Sequence, residues 1–491
     1  MSAPAPVNSI EQLLPELKAR LPAEALILDS AGKRPYETDG LTALRAQPGV
    51  VVLPDSADQV QWLLRRCSEL GVPVVPRGAG TGLSGGALPR EDGVLLGFSK
   101  MQQILELDPG AGTARVQPGV RNIAISEAAA PLGLYYAPDP SSQIACSIGG
   151  NVAENSGGVH CVKYGLTVHN ILGLKGYTMD GEPLEVGGTT LDCPGYDLLA
   201  VLCGSEGMLA VITEITVRLL PVPISKRVLL AAFPTPTAAA RAVSSVIAAG
   251  IVPAGLEMMD KLAIEAVEGY LKAGYPTHAG ALLLCELDGE GATVAADLAR
   301  VTALFEAEGA HDLRIAESAE EQANLWQGRK AAFPALGRIA PDYYCMDGTI
   351  PLAEIATVLS RIEALSNEYG LAVANVFHAG DGNLHPLILY DANKPGELAT
   401  AEALGHAILC ACVDAGGTVT GEHGVGVEKL DGMCHQFPSS ELEQFHRLKA
   451  AFDPQTLLNP GKGIPTLTRC SELGGMHVHG GKVPFAGLPR F

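Results

Sequence analysis

The amino-acid sequence predicts an α+β protein built from two domains, and three observations support this fold class. The chain has 491 residues, more than one ordinary hydrophobic core accommodates. Hydrophobic residues make up 47% and charged residues 18%, a composition typical of globular proteins. Before Pro221 and Pro223, short apolar runs alternate with glycine-rich loops, whereas beyond them apolar runs alternate with longer helical stretches.

The first domain is predicted to open with a helical lead-in over residues 1–45, which includes an amphipathic helix over Ser9–Arg20. A second helix begins after Ser56, a common N-cap residue, and ends at Gly71. Its apolar residues recur at helical spacing: Val60, Leu63, Leu64 and Cys67. A further helix is expected over 122–130. Apolar runs predict strands at 50–53, 72–75, 94–98, 104–107, 114–116, 171–178 and 210–219.

The second domain is predicted because the predicted strands now alternate with longer helices. Strands are expected at 228–233, 281–287, 371–377 and 387–390. Longer helices are expected at 237–249, 291–308, 352–369 and 396–415, and a further helix is expected beyond this domain, at 442–452. Strands interleaved with long helices predict a sheet covered by helices on one side.

Charge and cysteine content exclude several classes of function. The formal charge is −20, and no basic face for nucleic acid or anionic lipid is visible. The 11 cysteines are scattered without a CxxC pair, which disfavours a disulfide framework and an iron–sulfur cluster on this chain. No signal peptide and no membrane-spanning run of roughly 18 apolar residues is recognised. We therefore expect a cytoplasmic enzyme.

The first glycine-rich run, residues 76–86, contains the pattern GxGxxG from Gly80 to Gly85. A dinucleotide-binding fold of the Rossmann type needs a helix to open at this loop. Here Pro89 and Gly93 lead directly into another strand, which disfavours that interpretation. Consecutive glycine amides can instead form a nest for a pyrophosphate. An ordinary glycine-rich turn explains this loop equally well.

The second glycine-rich region spans residues 138–165, and a third patch of the same character lies at 204–207. Its small residues, serines and asparagines offer amide donors and a flexible backbone around a flat, polar ring system. Together with the first run, this region favours a bound cofactor over an isolated turn.

A group of histidines and one acid predicts a metal or proton-transfer site. His378 and His385 flank Ala-Gly-Asp-Gly-Asn-Leu, and the apolar runs on either side predict a hairpin with the turn at its tip. Glu422 and His423 lie in a separate glycine-rich turn. Two histidines and a carboxylate suit Zn²⁺ or a similar ion. For any single histidine, a hydrogen-bonded core residue is the alternative.

The motifs, taken in order, resemble a known family over nearly the whole chain. PRGAGTGLSGG at 76–86 is followed by PDPSS, SIGGN, ENSGG, YG and GSEG, then by PDYYCMDGTIP at 341–351, FHAGDGNLHPLIL at 377–389, GEHGVG at 421–426 and NPGK at 459–462. This series resembles the FAD-binding oxidoreductases of the vanillyl-alcohol oxidase and p-cresol methylhydroxylase (PCMH) superfamily. Within it, the series resembles the bacterial glycolate oxidase FAD subunits.

The resemblance implies a two-part PCMH-type FAD-binding domain over 46–223 and an α+β substrate domain over 224–415. A segment over 416–465 returns to complete the FAD domain and active site, and a tail covers 466–491. The 76–86 loop would hold the pyrophosphate of FAD. Some relatives attach FAD covalently through a histidine in this loop, and because no histidine lies between Arg77 and Leu88, noncovalent FAD is implied. The implied FAD-binding residues are Pro76, Arg77, Gly78, Ala79, Gly80, Thr81, Gly82, Ser84, Gly85, Gly86, Pro138, Asp139, Ser142, Gly149, Gly150, Asn151, Asn155, Gly157, Gly158, Tyr164, Gly165, Glu206, Gly207 and Asn459.

The resemblance also implies roles at the active site. The implied ligands of a divalent metal, Zn or Mn, are His378, His385 and Glu422. His423 would act near the substrate, and Arg329 in WQGRKAAF would grip a substrate carboxylate through two hydrogen bonds. One departure is Leu387, which stands where relatives can carry a polar residue two places after the second histidine.

The implied reaction is FAD-dependent oxidation of glycolate to glyoxylate, or of D-lactate, with a hydride passing from Cα to the flavin and a histidine accepting the hydroxyl proton. Electrons would pass to quinone or to partner subunits, one of which carries iron–sulfur clusters. Association with the membrane periphery would occur through the partners. One alternative substrate is the diacid D-2-hydroxyglutarate, which needs a second cation that the sequence does not reveal. A non-catalytic flavin- or metal-binding subunit is the other alternative. The tail 470–491 is either a docking element or a strap over the FAD domain.

Overall fold

A computed structural model of the chain describes residues 9–190 and 195–466, which form two compact units. Among those residues, the first unit contains 9–156, 166–221 without 191–194, and 423–466. The second unit contains Gly157–Gly165 and Val222–Glu422. The C-terminal segment from His423 onward therefore returns to the unit that holds the N-terminal part, whereas residues 416–422 belong to the second unit. The predicted tail lies outside the described residues from 467 onward.

The described part of the first unit contains three sheets. A four-stranded sheet has the order Leu26–Ile27, Val50–Val52, Val94–Gly97 and Val74–Arg77, with its last three strands parallel. A five-stranded antiparallel sheet has the order Ile104–Asp108, Thr113–Val116, Val211–Arg218, Ile171–Tyr177 and Pro183–Gly187. Leu134–Tyr135 and Leu220–Pro221 form a short pair. The strands predicted for this region are confirmed, with bounds shifted by one or two residues.

The helices of the first unit are Ser9–Arg20, Ser30–Lys33, Ala57–Leu70, Asn122–Ala129, Ile148–Glu154, Thr167–Asn170, Leu198–Leu202, Leu430–Gln436 and Ser439–Phe452. For the helix Ala57–Leu70, the sequence accounts for the buried face and for both ends. Leu63 and Leu64 on its apolar face are fully buried. Ser56 takes the extended N-cap conformation, and Gly71 ends the helix with a left-handed φ of +66°.

The helix Ile148–Glu154 was not predicted, because Gly149 and Gly150 lower helix propensity. Local contacts form it nevertheless. The Ser147 hydroxyl accepts the Gly150 N–H at 3.3 Å, and Asn155 ends the helix with φ of +54°. A Cβ on Gly149 would lie 2.7 Å from the Pro118 Cβ, so this glycine permits close packing.

The second unit is built on a nine-stranded sheet. Its main order is His311–Ile315, Ser225–Phe233, Ala281–Gly289, Gly255–Asp260, Val373–His378, Asn383–Leu384 and Gly348–Thr349. Pro386–Tyr390 pairs with Val373–His378 and with Asp342–Cys345. The helices are Cys161–Tyr164, Pro236–Ala248, Lys261–Leu271, Gly291–Ala307, Ala319–Lys330, Ala332–Leu336, Ile355–Tyr369 and Glu397–Asp414.

Helices pack on both faces of this sheet, so the prediction of helices on one side was wrong. On one face, Phe233 meets Phe305 of the helix Gly291–Ala307 edge-on, with ring centroids 5.7 Å apart. On the other, Trp326 of the helix Ala319–Lys330 reaches Glu286. The predicted strands and long helices of this unit are confirmed, whereas the strands Gly255–Asp260, His311–Ile315 and Asp342–Cys345 were missed.

Two expectations from the sequence, on cysteines and on membrane-spanning segments, can be compared with the described residues. The nine cysteines described there all carry free thiols. In the same part of the chain, we find no helix with the length and apolar character needed to cross a bilayer.

Candidate active site

The first glycine-rich run lies in the first unit, directly after the strand Val74–Arg77. No backbone N–H of residues 79–83 donates a hydrogen bond within the described residues. Gly80 and Gly85 have φ of +72° and +75°, which L side chains rarely adopt. A Cβ on Gly82 would find one described neighbour, Glu154 Oε1, at 3.8 Å. Backbone amides without described acceptors, with open space beside Gly82, fit the pyrophosphate of FAD.

Arg77 is bound to the lead-in segment. Its Nη1 donates to the Thr38 carbonyl at 2.8 Å, and its guanidinium lies over the Tyr36 ring at 5.7 Å. A Cβ on Gly80 would collide with this guanidinium. Ser84 also faces inward and donates to a backbone carbonyl at 3.0 Å. Arg77 and Ser84 therefore bond to backbone carbonyls of the protein and fix the two ends of the loop.

Two asparagines of the second glycine-rich region bond to protein groups. The Asn122 side chain donates to Asn151 Oδ1 at 3.0 Å, and Asn151 is almost fully buried. Asn155 Oδ1 accepts the Val168 N–H at 2.9 Å. These side chains fix the backbone around the helix Ile148–Glu154, and their assignment to FAD binding stays a prediction.

Glu206 and Asn459 tie the C-terminal segment into the first unit. The Glu206 carboxylate accepts the N–H groups of Val425 and Gly426, both at 2.7 Å, and burial raises its pKa. The Asn459 side chain donates to the Glu206 carbonyl at 2.7 Å. Glu206 therefore holds the glycine-rich turn that begins at His423, a half-buried residue.

In the second unit, His378 and His385 lie on either side of a tight turn. The strand Val373–His378 pairs with Asn383–Leu384, and Gly382 in the turn has φ of +79°. The two imidazoles are buried, with ring centroids 5.1 Å apart. The predicted hairpin is confirmed.

Glu422 completes a cluster with these histidines. Its Oε1 lies 2.9 Å from His385 Nε2 and 3.3 Å from His378 Nε2. All three residues are buried, and their potential ligand atoms lie within 4.8 Å of one another. Two imidazoles and one carboxylate are a ligand set for Zn²⁺ and related divalent ions.

Neighbouring groups fix the orientation of these three side chains. The His378 Nδ1–H donates to Glu257 Oε1 at 2.7 Å, and His385 Nδ1 faces the Met346 carbonyl at 3.4 Å. The Glu422 N–H donates to the Asp347 carboxylate at 3.1 Å. Because each Nδ1 faces an acceptor, both Nε2 atoms point toward Glu422. This outer shell of acceptors is what orients histidines at metal centres, so the residues fit a divalent ion.

The pKa values of His378 and Glu422 are strongly shifted. Burial opposes protonation of His378, but the carboxylates of Glu257 and Glu422 outweigh it and hold its pKa well above the usual value. Burial also opposes ionisation of Glu422, yet hydrogen bonds from His378 and His385 hold its pKa well below the usual value. In the turn, burial raises the pKa of Asp381 to about 6. These groups interact as one charged network.

Arg329 lies on the helix Ala319–Lys330 and is only 2% exposed, although a surface position is usual for arginine. Its Nη2 forms an ion pair with Glu257 Oε2 at 2.6 Å. Within the described residues, its Nε–H has no hydrogen-bond acceptor. Burial opposes ionisation of Glu257, but His378 and Arg329 lower its pKa overall. Neighbouring Lys330 is exposed.

The segment Gly157–Gly165 is held by alternate residues of the strand Ala281–Gly289. His160 Nε2 lies 2.9 Å from Glu286 Oε1, and the Tyr164 hydroxyl donates to Asp288 at 2.7 Å. Lys163 also pairs with Asp288. The predicted FAD-binding residues Gly157, Gly158, Tyr164 and Gly165 therefore lie in the second unit.

The sheet also determines the surroundings of Leu387 and of Tyr343, a residue of the segment 341–351. Leu387 is fully buried and pairs with Cys345 and Ala374 on the neighbouring strands. Tyr343 is 38% exposed and packs edge-on against Phe333. Leu387 is therefore a core residue, consistent with its lack of a polar group.

Sequence reasoning missed Glu257, Asp347 and Glu286. Glu257 and Glu286 each interrupt an apolar strand, and a buried acid in an apolar strand needs a partner. That signal predicts a buried ion pair but not which cation or histidine supplies it.

Comparisons with solved structures define the class of fold. The chain superposes on p-cresol methylhydroxylase with a TM-score of 0.79 at 18% identity, covering 94% of this chain and 98% of that one. It superposes on alkyldihydroxyacetonephosphate synthase with a TM-score of 0.72 at 19% identity, covering 94% and 86%. The fold is thus that of the two-domain PCMH-type flavoproteins.

Sequence comparisons identify the family. Residues 48–187 match the FAD binding domain family, and residues 222–463 match the family of FAD linked oxidases, C-terminal domain. The chain is 61% identical to glycolate oxidase subunit GlcD of Escherichia coli K12, over 93% of this chain and 92% of that protein. It is 36% identical to a D-lactate dehydrogenase of Archaeoglobus fulgidus, over 88% and 95%. The chain belongs to the FAD-linked oxidases and is an FAD-dependent oxidoreductase.

Proposed function

We propose that this protein oxidises glycolate to glyoxylate with noncovalent FAD and a divalent metal ion. The observation that carries the proposal is the buried cluster of His378, His385 and Glu422, joined through Glu257 to the buried guanidinium of Arg329. A divalent ion can bind the hydroxyl group of a 2-hydroxy carboxylate, and an arginine can bind its carboxylate. The relatives named glycolate oxidase subunit support the choice of substrate.

His378, His385 and Glu422 would hold the metal ion through two Nε2 atoms and a carboxylate oxygen. A bound divalent ion lowers the pKa of a coordinated hydroxyl and so favours its deprotonation. Arg329 would bind the substrate carboxylate, because its Nε–H lacks an acceptor among the described residues.

His423 would accept the hydroxyl proton, since an imidazole titrates near neutral pH. It directly follows Glu422 in the sequence, and hydrogen bonds to Glu206 fix the turn after it. Bound FAD supplies the two-electron acceptor for the hydride that leaves Cα. Glycolate thereby loses one proton and one hydride to become glyoxylate.

D-lactate is a second candidate substrate, because two relatives at 36% and 31% identity are named D-lactate dehydrogenase. Lactate differs from glycolate by one methyl group at Cα, so the same metal and arginine would bind it.

Partner subunits are also proposed. The relatives are named as a subunit of glycolate oxidase, which supports assembly with other chains. We propose that one partner carries iron–sulfur clusters and receives the electrons of the reduced flavin in the cytoplasm, at the membrane periphery. Co-purification of the tagged chain from its native host, followed by iron and sulfide analysis, tests this.

The activity is tested by anaerobic titration of the purified protein with glycolate while the visible flavin band is recorded. We expect glycolate to bleach the band stoichiometrically. If D-lactate or a diacid bleaches it and glycolate does not, the substrate assignment is wrong. If none of these substrates reduces the bound flavin, the proposed reaction is wrong.

A further inference from the structure

We propose that Glu257 is a positioning residue that serves the metal ion and the substrate carboxylate at the same time. One of its oxygens orients His378 toward the ion, and the other holds the guanidinium of Arg329. The inference rests on the proposed function and adds a residue that acts only through its neighbours.

The position of Glu257 is rigid. It lies in the strand Gly255–Asp260, opposite Leu284 on one neighbouring strand and opposite His378 on the other. Its side chain is 1% exposed. A residue bonded on both sides within a sheet holds its carboxylate more firmly than a loop residue does.

Each carboxylate oxygen has a separate partner. Oε1 accepts the His378 Nδ1–H at 2.7 Å, so the Nε2 of the same ring faces Glu422. Oε2 forms an ion pair with Arg329 Nη2 at 2.6 Å, without the angles of a hydrogen bond. With Nη2 engaged, Arg329 retains its Nε–H as a donor without an acceptor among the described residues.

Charge explains why one group serves both partners. A buried carboxylate without a cation is strongly unfavourable, so Arg329 stabilises the anion that orients His378. The same anion keeps the guanidinium from turning toward other acceptors. Loss of the Glu257 charge is therefore expected to weaken metal binding and to misplace Arg329.

Glu286→Gln is the matched control for Glu257→Gln. Glu286 lies on the adjacent strand, opposite Gly255, and is also 1% exposed. It also bonds to a histidine and an amine, through His160 at 2.9 Å and Lys226 at 2.7 Å. Neither partner belongs to the His378 cluster, so both substitutions remove a buried charge but only one reaches the metal site.

The experiment measures Mn²⁺ affinity of the chelator-treated, FAD-loaded protein by electron paramagnetic resonance. We expect Glu257→Gln to weaken Mn²⁺ binding by about 10–100-fold, as for other groups that orient metal ligands, and Glu286→Gln to leave it unchanged. At saturating Mn²⁺, the kcat of Glu257→Gln should recover toward wild type while its KM for glycolate stays raised, because Arg329 remains misplaced.

Wild-type Mn²⁺ affinity in Glu257→Gln would overturn the inference and leave the proposed function standing. Mn²⁺ binding that persists in His385→Ala would overturn the metal assignment itself, and the inference with it. If Glu257→Gln does not fold, Glu257→Gln with Arg329→Gln removes both charges together. That double variant is expected to lose Mn²⁺ affinity by the same factor, and wild-type affinity in it also overturns the inference.

Discussion

Glu257 and Glu286 are two buried carboxylates that each contact a histidine and a cationic side chain, yet only Glu257 belongs to the candidate active site. They lie on adjacent antiparallel strands of the second unit, and each side chain is 1% exposed. Each is bonded to a histidine and paired with a cation. Burial and pairing alone therefore do not distinguish a functional acid from a structural one.

The two acids differ in the further groups that surround each Glu–His pair. The ring of His378 presents its second nitrogen to Glu422, next to His385. The carboxylate of Glu286 instead spreads its bonds over Trp326 and Lys226, whose side chain is 44% exposed. The Glu257–His378 pair therefore adjoins further potential metal ligands, whereas the partners of Glu286 include an indole and a partly exposed lysine.

The largest effect is expected when a histidine of the cluster is removed. His385→Ala deletes a metal ligand, so kcat for glycolate should fall by about 10³-fold, equivalent to several kcal/mol of transition-state stabilisation. His160→Ala, at the Glu286 site, should leave Mn²⁺ binding unchanged. Stopped-flow flavin reduction and Mn²⁺ titration measure both variants. Turnover of His385→Ala within a few fold of wild type would contradict the difference between the two sites.

A pH effect on stability is expected from Glu286. Burial opposes its ionisation, but His160 and Lys226 outweigh this and lower its pKa from 4.5 to about 2. Because the folded-state pKa is depressed, the stabilisation is complete above pH 4.5 and is lost as the pH falls toward 2. The difference corresponds to about 3 kcal/mol at most.

Denaturant unfolding between pH 6 and 2 measures this effect. The free energy of unfolding of the wild type should fall more steeply below pH 4.5 than that of Glu286→Gln, which lacks the titrating group. Parallel pH profiles for the two proteins would show that Glu286 does not carry the stabilisation.

The sequence predicted much of this architecture but not the comparison between the two acids. The strands around Leu95 and the hairpin between His378 and His385 follow from short-range patterns, so they were predictable. The helix Ile148–Glu154 was not, because packing against Pro118 outweighs the low propensity of its glycines. Glu257 was missed because its partners are far away in sequence, 121 residues in the case of His378.

A smaller effect is expected from Arg329→Lys. Lysine keeps a positive charge near Glu257 but loses the planar fork that binds a carboxylate through two hydrogen bonds. We expect kcat/KM for glycolate to fall by about 10–100-fold, mainly through KM. Steady-state assays with an artificial electron acceptor test this.

Lys226→Gln is the counterpart on the other acid. It removes the half-exposed cation of Glu286 and should leave kcat/KM for glycolate unchanged. An equal fall in both variants would mean that the two buried acids affect catalysis in the same general way, through stability.

The smallest effect is expected at Tyr164, which is bound to the Glu286 strand and not to the metal cluster. Its hydroxyl donates to Asp288 at 2.7 Å, so Tyr164→Phe removes one hydrogen bond to a carboxylate. Lys163 still pairs with Asp288, and we expect a loss of about 1–2 kcal/mol in the free energy of unfolding. FAD affinity, measured by fluorescence on titration of the apoprotein, should change little because the aromatic ring is retained. A large loss of FAD affinity with unchanged stability would instead mean that the hydroxyl serves the cofactor, and that this edge of the second unit is functional as well.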